Sequence, residues 1–235
     1  MLWDTPLKTN ILAEKRLIDG ILDGHFPVDS KLPAERELAQ QLGITRPTLR
    51  EALQRLASDG WIDIQHGKST RIRNYWQEGN LAVLSSIAER QDKLPSSFIE
   101  NLLSIRILLS PAYVRLAIEH SPSEVADFLR SYIDLPETPD DFAAADWQLH
   151  LRLSIASNNP IFTLILNGFS DLYPVISRHY FIFRENRDHS RTFYTSLSAC
   201  ALRSDAQGAE VLTRRVMSES LELWKSTLIM NTVHD

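Results

Sequence analysis

Apolar residues recur at three- and four-residue intervals along most of this chain, with one short interruption near residues 61–73. Residues 8–25 place Ile11, Leu12, Ile18, Ile21 and Leu22 at helical spacing with charges between them. That helix should stop at Gly24-His25-Phe26-Pro27, since proline disfavours a helical residue before it. After a connector over 28–31, Pro33 suits the first turn of a second helix, with Leu38 and Leu42 facing inward. Gly43 suits the left-handed residue that ends it. Thr45 is then a natural N-cap and Pro47 a first-turn residue for a third helix, whose inward stripe is Leu49, Ala52, Leu53 and Leu56. After Asp59-Gly60 the pattern changes to two extended runs, 61–64 and 70–73, around Gln65-His66-Gly67-Lys68. That spacing predicts a small β-hairpin.

Two short helices joined by Leu42-Gly43-Ile44-Thr45 and followed by a hairpin make a winged helix-turn-helix, a DNA-reading device. Helical spacing resumes over 76–90, through Leu81, Leu84, Ile87 and Ala88, and breaks at 91–95. Further helices are expected over about 97–120, 122–133, 141–157, 159–181, 187–203 and 206–229. The predicted fold class is mainly α: an N-terminal winged helix-turn-helix with a small β-hairpin wing, plus a C-terminal all-α antiparallel helical bundle. The domains are expected at 1–74 (DNA-binding), 75–95 (linker helix) and 96–235 (regulatory).

Composition changes this picture little. The 235 residues are 43% hydrophobic, enough for two ordinary domains, and the net charge of −5 does not advertise a nucleic-acid binder. The charge is uneven, however: residues 1–73 carry 11 basic against 10 acidic side chains, while the remainder carries 14 against 20. A few cations on one face suffice to hold DNA. A single cysteine, Cys200, excludes a disulfide framework and fits a reducing cytoplasm. The opening MLWDTPLKTN has no basic segment followed by an apolar one, and no apolar run approaches the roughly 20 residues of a membrane span. A cytoplasmic protein without membrane partners is expected.

Arg46 and Arg50 lie one turn apart, opposite Leu49 and Leu53, where an arginine fork can read guanine in the major groove. Thr45 and Thr48 can bond phosphates or base edges, and Arg36 can reach the backbone. At the hairpin tip Gly67 allows close backbone approach and Lys68 adds a cation beside His66, suited to a minor groove. The alternative is a solvated surface in which Arg46 or Arg50 pairs with a glutamate, and a hairpin turn chosen for backbone shape. No G-x-S-x-G occurs and Cys200 has no histidine near it in sequence, so an enzyme is not expected.

The segment LPAERELAQQLGITRPTLREALQRLASDGWIDIQHGKST resembles the amino-terminal domain of GntR-family bacterial regulators. ENLLSIR (100–106), ASNNPIFTLILNG (156–168), LYPVISRHYF (172–181) and the RR…ES…W pattern at 214–224 are similar to the FadR-type, fatty-acid-metabolism branch. The resemblance spans residues 9–225. It implies a homodimer whose paired winged helices bind a pseudo-palindromic double-stranded DNA operator through Arg36, Thr45, Arg46, Thr48, Arg50, His66, Gly67 and Lys68. It also implies repression of fatty-acid degradation genes, activation of unsaturated fatty-acid synthesis, and release from DNA by long-chain fatty acyl-CoA.

Arg106, Tyr173, Tyr180, Glu219, Ser220 and Trp224 are the implied acyl-CoA contacts. Phe162, Leu164, Ile165, Phe169 and Ile176 could line an acyl tunnel, with Arg178, Arg214 and Arg215 as further cations for the CoA. No cofactor is expected. Two departures stand out: Pro47, where a hydroxyl residue belongs, and Val216-Met217-Ser218 in place of Tyr-Gly-His, with Met217 expected to crowd the cavity. Many relatives hold a metal through Asp-x-x-x-His plus further histidines, and here Asp146 and His150 supply the first pair. Thr195 and Val216 stand where the others belong, so a metal-bound organic or sugar acid is the alternative effector, and a polar pair within the bundle the simpler reading.

Overall fold

The computed structural model describes residues 9–65, 67–88, 97–132 and 134–232. The chain forms two compact units, residues 1–93 and 94–235.

The first unit opens with α1 (Thr9–Leu22), α2 (Glu35–Leu42) and α3 (Arg46–Asp59). The expected stripe of α3 is the buried one, Leu49, Ala52, Leu53 and Leu56. α1 packs on α3, but through Ala13, Leu17 and Ile21, whereas Ile11 and Leu12 stay exposed. A small alanine at the contact lets two helices approach closely, and it is easily passed over when large apolar residues are counted. Gly43 (φ 67°) closes α2 and Gly60 (φ 93°) closes α3, both left-handed. Thr45 accepts the Thr48 backbone N–H at 3.3 Å, capping α3.

The wing is β1 (Ile62–Asp63) antiparallel to β2 (Arg71–Ile72), in the register Ile62↔Ile72 and Asp63↔Arg71. Lys31 forms a bridge to Arg71, so the connector after α1 supports the wing. The Arg71 guanidinium joins Asp29 (2.6 Å) to Glu78 (2.8 Å), tying that connector to the segment after the wing. Trp61 is fully buried with its ring 4.8 Å from Tyr75.

Over the described residues 76–88 the single linker helix expected is broken; residues 89–95 lie outside the described residues. The break separates α4 (Tyr75–Glu78) from α5 (Ala82–Ala88), both within the first unit. Gly79 is extended (ψ 164°), and a Cβ on Gly60 would lie 2.7 Å from its Cα, so the backbones meet at two glycines. Asn80 fixes the corner, donating to the Ser58 carbonyl and accepting from the Ala82 N–H, both at 2.9 Å.

Among the described residues the elements of the second unit are all helices: α6 (Phe98–His120), α7 (Pro122–Arg130), α8 (Pro139–Ala156), α9 (Pro160–Asn167), α10 (Leu172–Phe181), α11 (Arg184–Leu202) and α12 (Ala206–Thr232). α6 packs along α12 and against α8, α10 against α8, and α11 against α7 and α12. The helix expected over 159–181 is two, because Phe169 and Ser170 donate to carbonyls three residues back and tighten the chain into a turn. α6 also corrects the expectation that nothing here approaches a membrane span: its length, and the mean hydropathy of 1.3 over an 18-residue stretch of it, pass that test. Glu100, Arg106 and Arg115 interrupt the run in sequence, and its apolar residues Tyr113, Val114, Ala117 and Ile118 belong to the core of the bundle.

Gly60→Ala should destabilise the first unit by on the order of 2 kcal/mol or more, since a side chain meets both a left-handed backbone and the Gly79 contact. Thermal unfolding checks it; an unchanged midpoint would contradict the close approach.

Candidate functional site

On the first unit, α3 turns Arg46 and Arg50 outward from its buried stripe, with side chains 56% and 60% exposed. Both face Glu35 at the start of α2: Arg50 Nε lies 2.7 Å from its Oε2 and an Arg46 terminal nitrogen 3.9 Å. The arginine–glutamate pairing held as an alternative therefore exists, on a surface that remains open. Arg36 is exposed on the first turn of α2. The Thr45 and Thr48 hydroxyls are 2.8 Å apart, so one donates to the other. Pro47 occupies the first turn of α3. At the wing tip Gly67 is left-handed (φ 73°), Lys68 is exposed, and the Lys68 N–H closes the turn on Gln65 (3.1 Å). His66 lies outside the described residues.

In the second unit an apolar cavity of about 120 Å³ opens among α6, α8, α10 and α12. Arg106, Tyr173, Tyr180, Ser220 and Trp224 all line it. Glu219 does not: a single residue step along α12 rotates the side chain by about 100° from Ser220, and it points instead to His189 (2.9 Å) and Arg215 (3.8 Å). Of the expected tunnel residues, Phe169 and Ile176 line the cavity, but Phe162 packs on Tyr113 and Leu164 is exposed, because the α9–α10 turn rotates these faces. Leu166 takes their place, and Leu102, Leu109 and Trp147 complete walls that sequence reasoning missed. For Leu102 and Leu109 the signal was the apolar face of α6, which does not by itself distinguish core from cavity. Arg178 pairs with Asp140 (3.0 Å), and Arg214 and Arg215 are exposed, so none of the three reaches the lining. Met217, expected to crowd the cavity, is buried within the bundle core instead.

One edge of the cavity is polar and built on a balanced ion pair. Arg106 donates to Asp146 Oδ2 at 2.6 Å and to His150 Nε2 at 2.5 Å. Asp146 also accepts from the hydroxyls of Tyr173 and Tyr194. With Nε2 accepting, a neutral His150 carries its proton on Nδ1 and donates to Tyr113 (2.6 Å), whose hydroxyl reaches Ser110 (2.8 Å). Burial, then the Arg106 charge, push the imidazole down to about 3, so it is neutral at physiological pH. Burial pushes the Asp146 carboxyl up, but Arg106 and the two hydroxyls outweigh it and hold the group below its usual range. Burial lifts the Tyr173 and Tyr194 hydroxyls well above theirs, so both remain donors.

Asp146 and His150 do not fit a metal site. The guanidinium occupies the position between them, and no group of three or more potential ligands is found among the described residues. Thr195 is exposed and bonds the Arg191 carbonyl, while Val216 is buried and apolar. Cys200 is buried and burial raises its thiol, which makes it a poor nucleophile.

Residues 12–72 match the family of bacterial regulatory proteins named gntR, and residues 73–231 match the FadR C-terminal domain. The chain belongs to the FadR family of GntR-type regulators. Fatty acid metabolism regulator proteins of Shewanella denitrificans and Escherichia coli are each 40% identical to it, the first over 91% of this chain and 89% of that one, the second over 90% and 89%. Lar, which controls expression of the Listeria monocytogenes agr system, shares the fold at a TM-score of 0.62 over 95% of this chain and 98% of that one, at 14% identity. Escherichia coli McbR/YncC superposes over 94% and 99% with a TM-score of 0.50 and 18% identity.

Because His150 is neutral in the folded chain down to about pH 3 while an unfolded imidazole charges near 6.5, its contribution to stability is whole above 6.5 and drains as pH falls toward 3. The slope for one proton is about 1.4 kcal/mol per pH unit. His150→Gln should flatten the fall in denaturant-unfolding free energy between pH 6 and 4; an identical slope in the variant would show that this imidazole does not titrate between the two states.

Proposed function

We propose that this protein is a DNA-binding transcriptional regulator of fatty-acid metabolism, acting as a homodimer on a pseudo-palindromic operator and released from it by long-chain fatty acyl-CoA. The DNA half rests on the gntR match over the winged helix and on the outward arginines of α3. The observation that carries the ligand half is the cavity. Five side chains that the family resemblance assigns to acyl-CoA converge on one apolar hollow with polar groups at one side. Leu102, Leu109, Phe169 and Ile176 suit an acyl chain, and Tyr180, Ser220 and Trp224 can meet its polar end.

Repression of fatty-acid degradation genes, and activation of unsaturated fatty-acid synthesis, are the regulatory outputs that go with this reading. Acyl-CoA must weaken DNA binding by the same factor that DNA weakens acyl-CoA binding, so the ligand acts by favouring a dimer geometry the operator does not fit.

A gel-shift titration with and without oleoyl-CoA, on an operator selected from random DNA by the full-length protein, tests the whole reading. Arg50→Ala should lose about 1–3 kcal/mol of operator affinity and relax base discrimination, whereas Lys68→Ala should weaken all DNA alike and flatten the salt dependence by about one phosphate. Unchanged operator affinity in Arg50→Ala would remove α3 as the reading element. Trp224→Ala should bind DNA normally but need about tenfold more oleoyl-CoA for release. Release at the same concentration would take Trp224 out of the ligand site.

A further inference from the structure

Glu35 is an anomaly on the surface assigned to DNA. Its carboxylate stands on the same face as Arg46 and Arg50, side chain 36% exposed, where phosphates would repel it. It belongs to neither the buried stripe of α3 nor the wing bracing of Arg71, and its one feature is that it holds two arginines. The hold is directional. Arg50 donates through Nε at 2.7 Å, and a guanidinium gripped at Nε keeps its terminal N–H pair, the prongs that match guanine O6 and N7, pointing away from the carboxylate. Arg46, at 3.9 Å, feels the charge without a close bond.

We infer that Glu35 is a specificity-determining residue, which positions Arg50 for a base edge and penalises DNA that offers the arginines only phosphate. The physical argument compares two complexes. On operator DNA, Arg50 keeps Glu35 at Nε and spends its terminal edge on a base, so the carboxylate remains neutralised. On unrelated DNA, the arginines gain most by swinging to phosphates, which leaves Glu35 uncompensated beside a polyanion. The same carboxylate thus costs little in the right complex and more in the wrong one, which is how a repulsive element yields discrimination. An exposed arginine with several free torsions would otherwise meet a phosphate as readily as a base.

This inference rests on α3 reading DNA, and the test separates the two. Affinities of the full-length protein for its selected operator and for a scrambled duplex of equal length are measured over a salt series, for wild type, Glu35→Gln, Arg50→Ala and the double variant. Glu35→Gln should bind the scrambled duplex more tightly with a steeper salt dependence, and lose about five- to tenfold in the operator-to-scrambled ratio, the scale of one base-reading contact. In the Arg50→Ala background the same change should leave the ratio unmoved. Glu35→Asp, which keeps the charge and shortens the reach, should restore the rejection of scrambled DNA but only part of the operator affinity. Glu35→Gln shifting both duplexes by one common factor would overturn the inference and leave α3 as the reader. Arg50→Ala without effect on the operator would remove the DNA reading itself.

Discussion

The pairing of Arg106 with Asp146 is the constraint around which the second unit is arranged. Removing two charges from water costs several kcal/mol for each, and close contact alone rarely offsets that. Here the 2.6 Å contact is joined by hydroxyls from Tyr173 and Tyr194 on the carboxylate and by the His150 nitrogen on the guanidinium. Those partners come from α6, α8, α10 and α11, so one ion pair ties four helices together. A missing partner would leave an uncompensated charge in the bundle, and the arrangement of those helices is therefore held jointly.

The same cluster defines the chemistry of the cavity. Arg106 stands on its lining, yet its charge is already balanced, and His150 beside it is neutral. The cavity is therefore an apolar hollow with a polar, nearly neutral edge, suited to a ligand whose buried part carries no full charge of its own. The guanidinium also does the structural task that a metal cation would do between an aspartate and a histidine, with directional N–H donors in place of coordination.

The first unit depends on backbone more than on charge. Gly60 ends α3 and meets Gly79, which lets Trp61 turn into the core against Tyr75 and sets the wing beside the reading helix. Arg71 and Lys31 then tie the wing to the connector after α1. A rigid wing and a capped α3 hold their exposed cations at a fixed spacing, which a pair of flexible loops could not do.

Much of this was legible in the sequence, because local chemistry decides it. Helical period, the Thr45 cap, the left-handed glycine at 43 and the turn to a hairpin are short-range effects, and α3 is buried along the stripe its spacing implies. The family motifs placed five of six expected ligand residues on one cavity. Tertiary structure decided the rest. Whether 76–90 and 159–181 ran on as single helices depended on a Gly60–Gly79 contact and on a turn with no proline or left-handed glycine to announce it. Which face of a largely apolar helix lines a hollow, that Glu219 turns away while Ser220 turns in, and that an arginine forty residues before Asp146 lies between it and His150, are matters of distant residues meeting. Periodicity carries the direction of a side chain relative to its own helix; only packing determines what waits there.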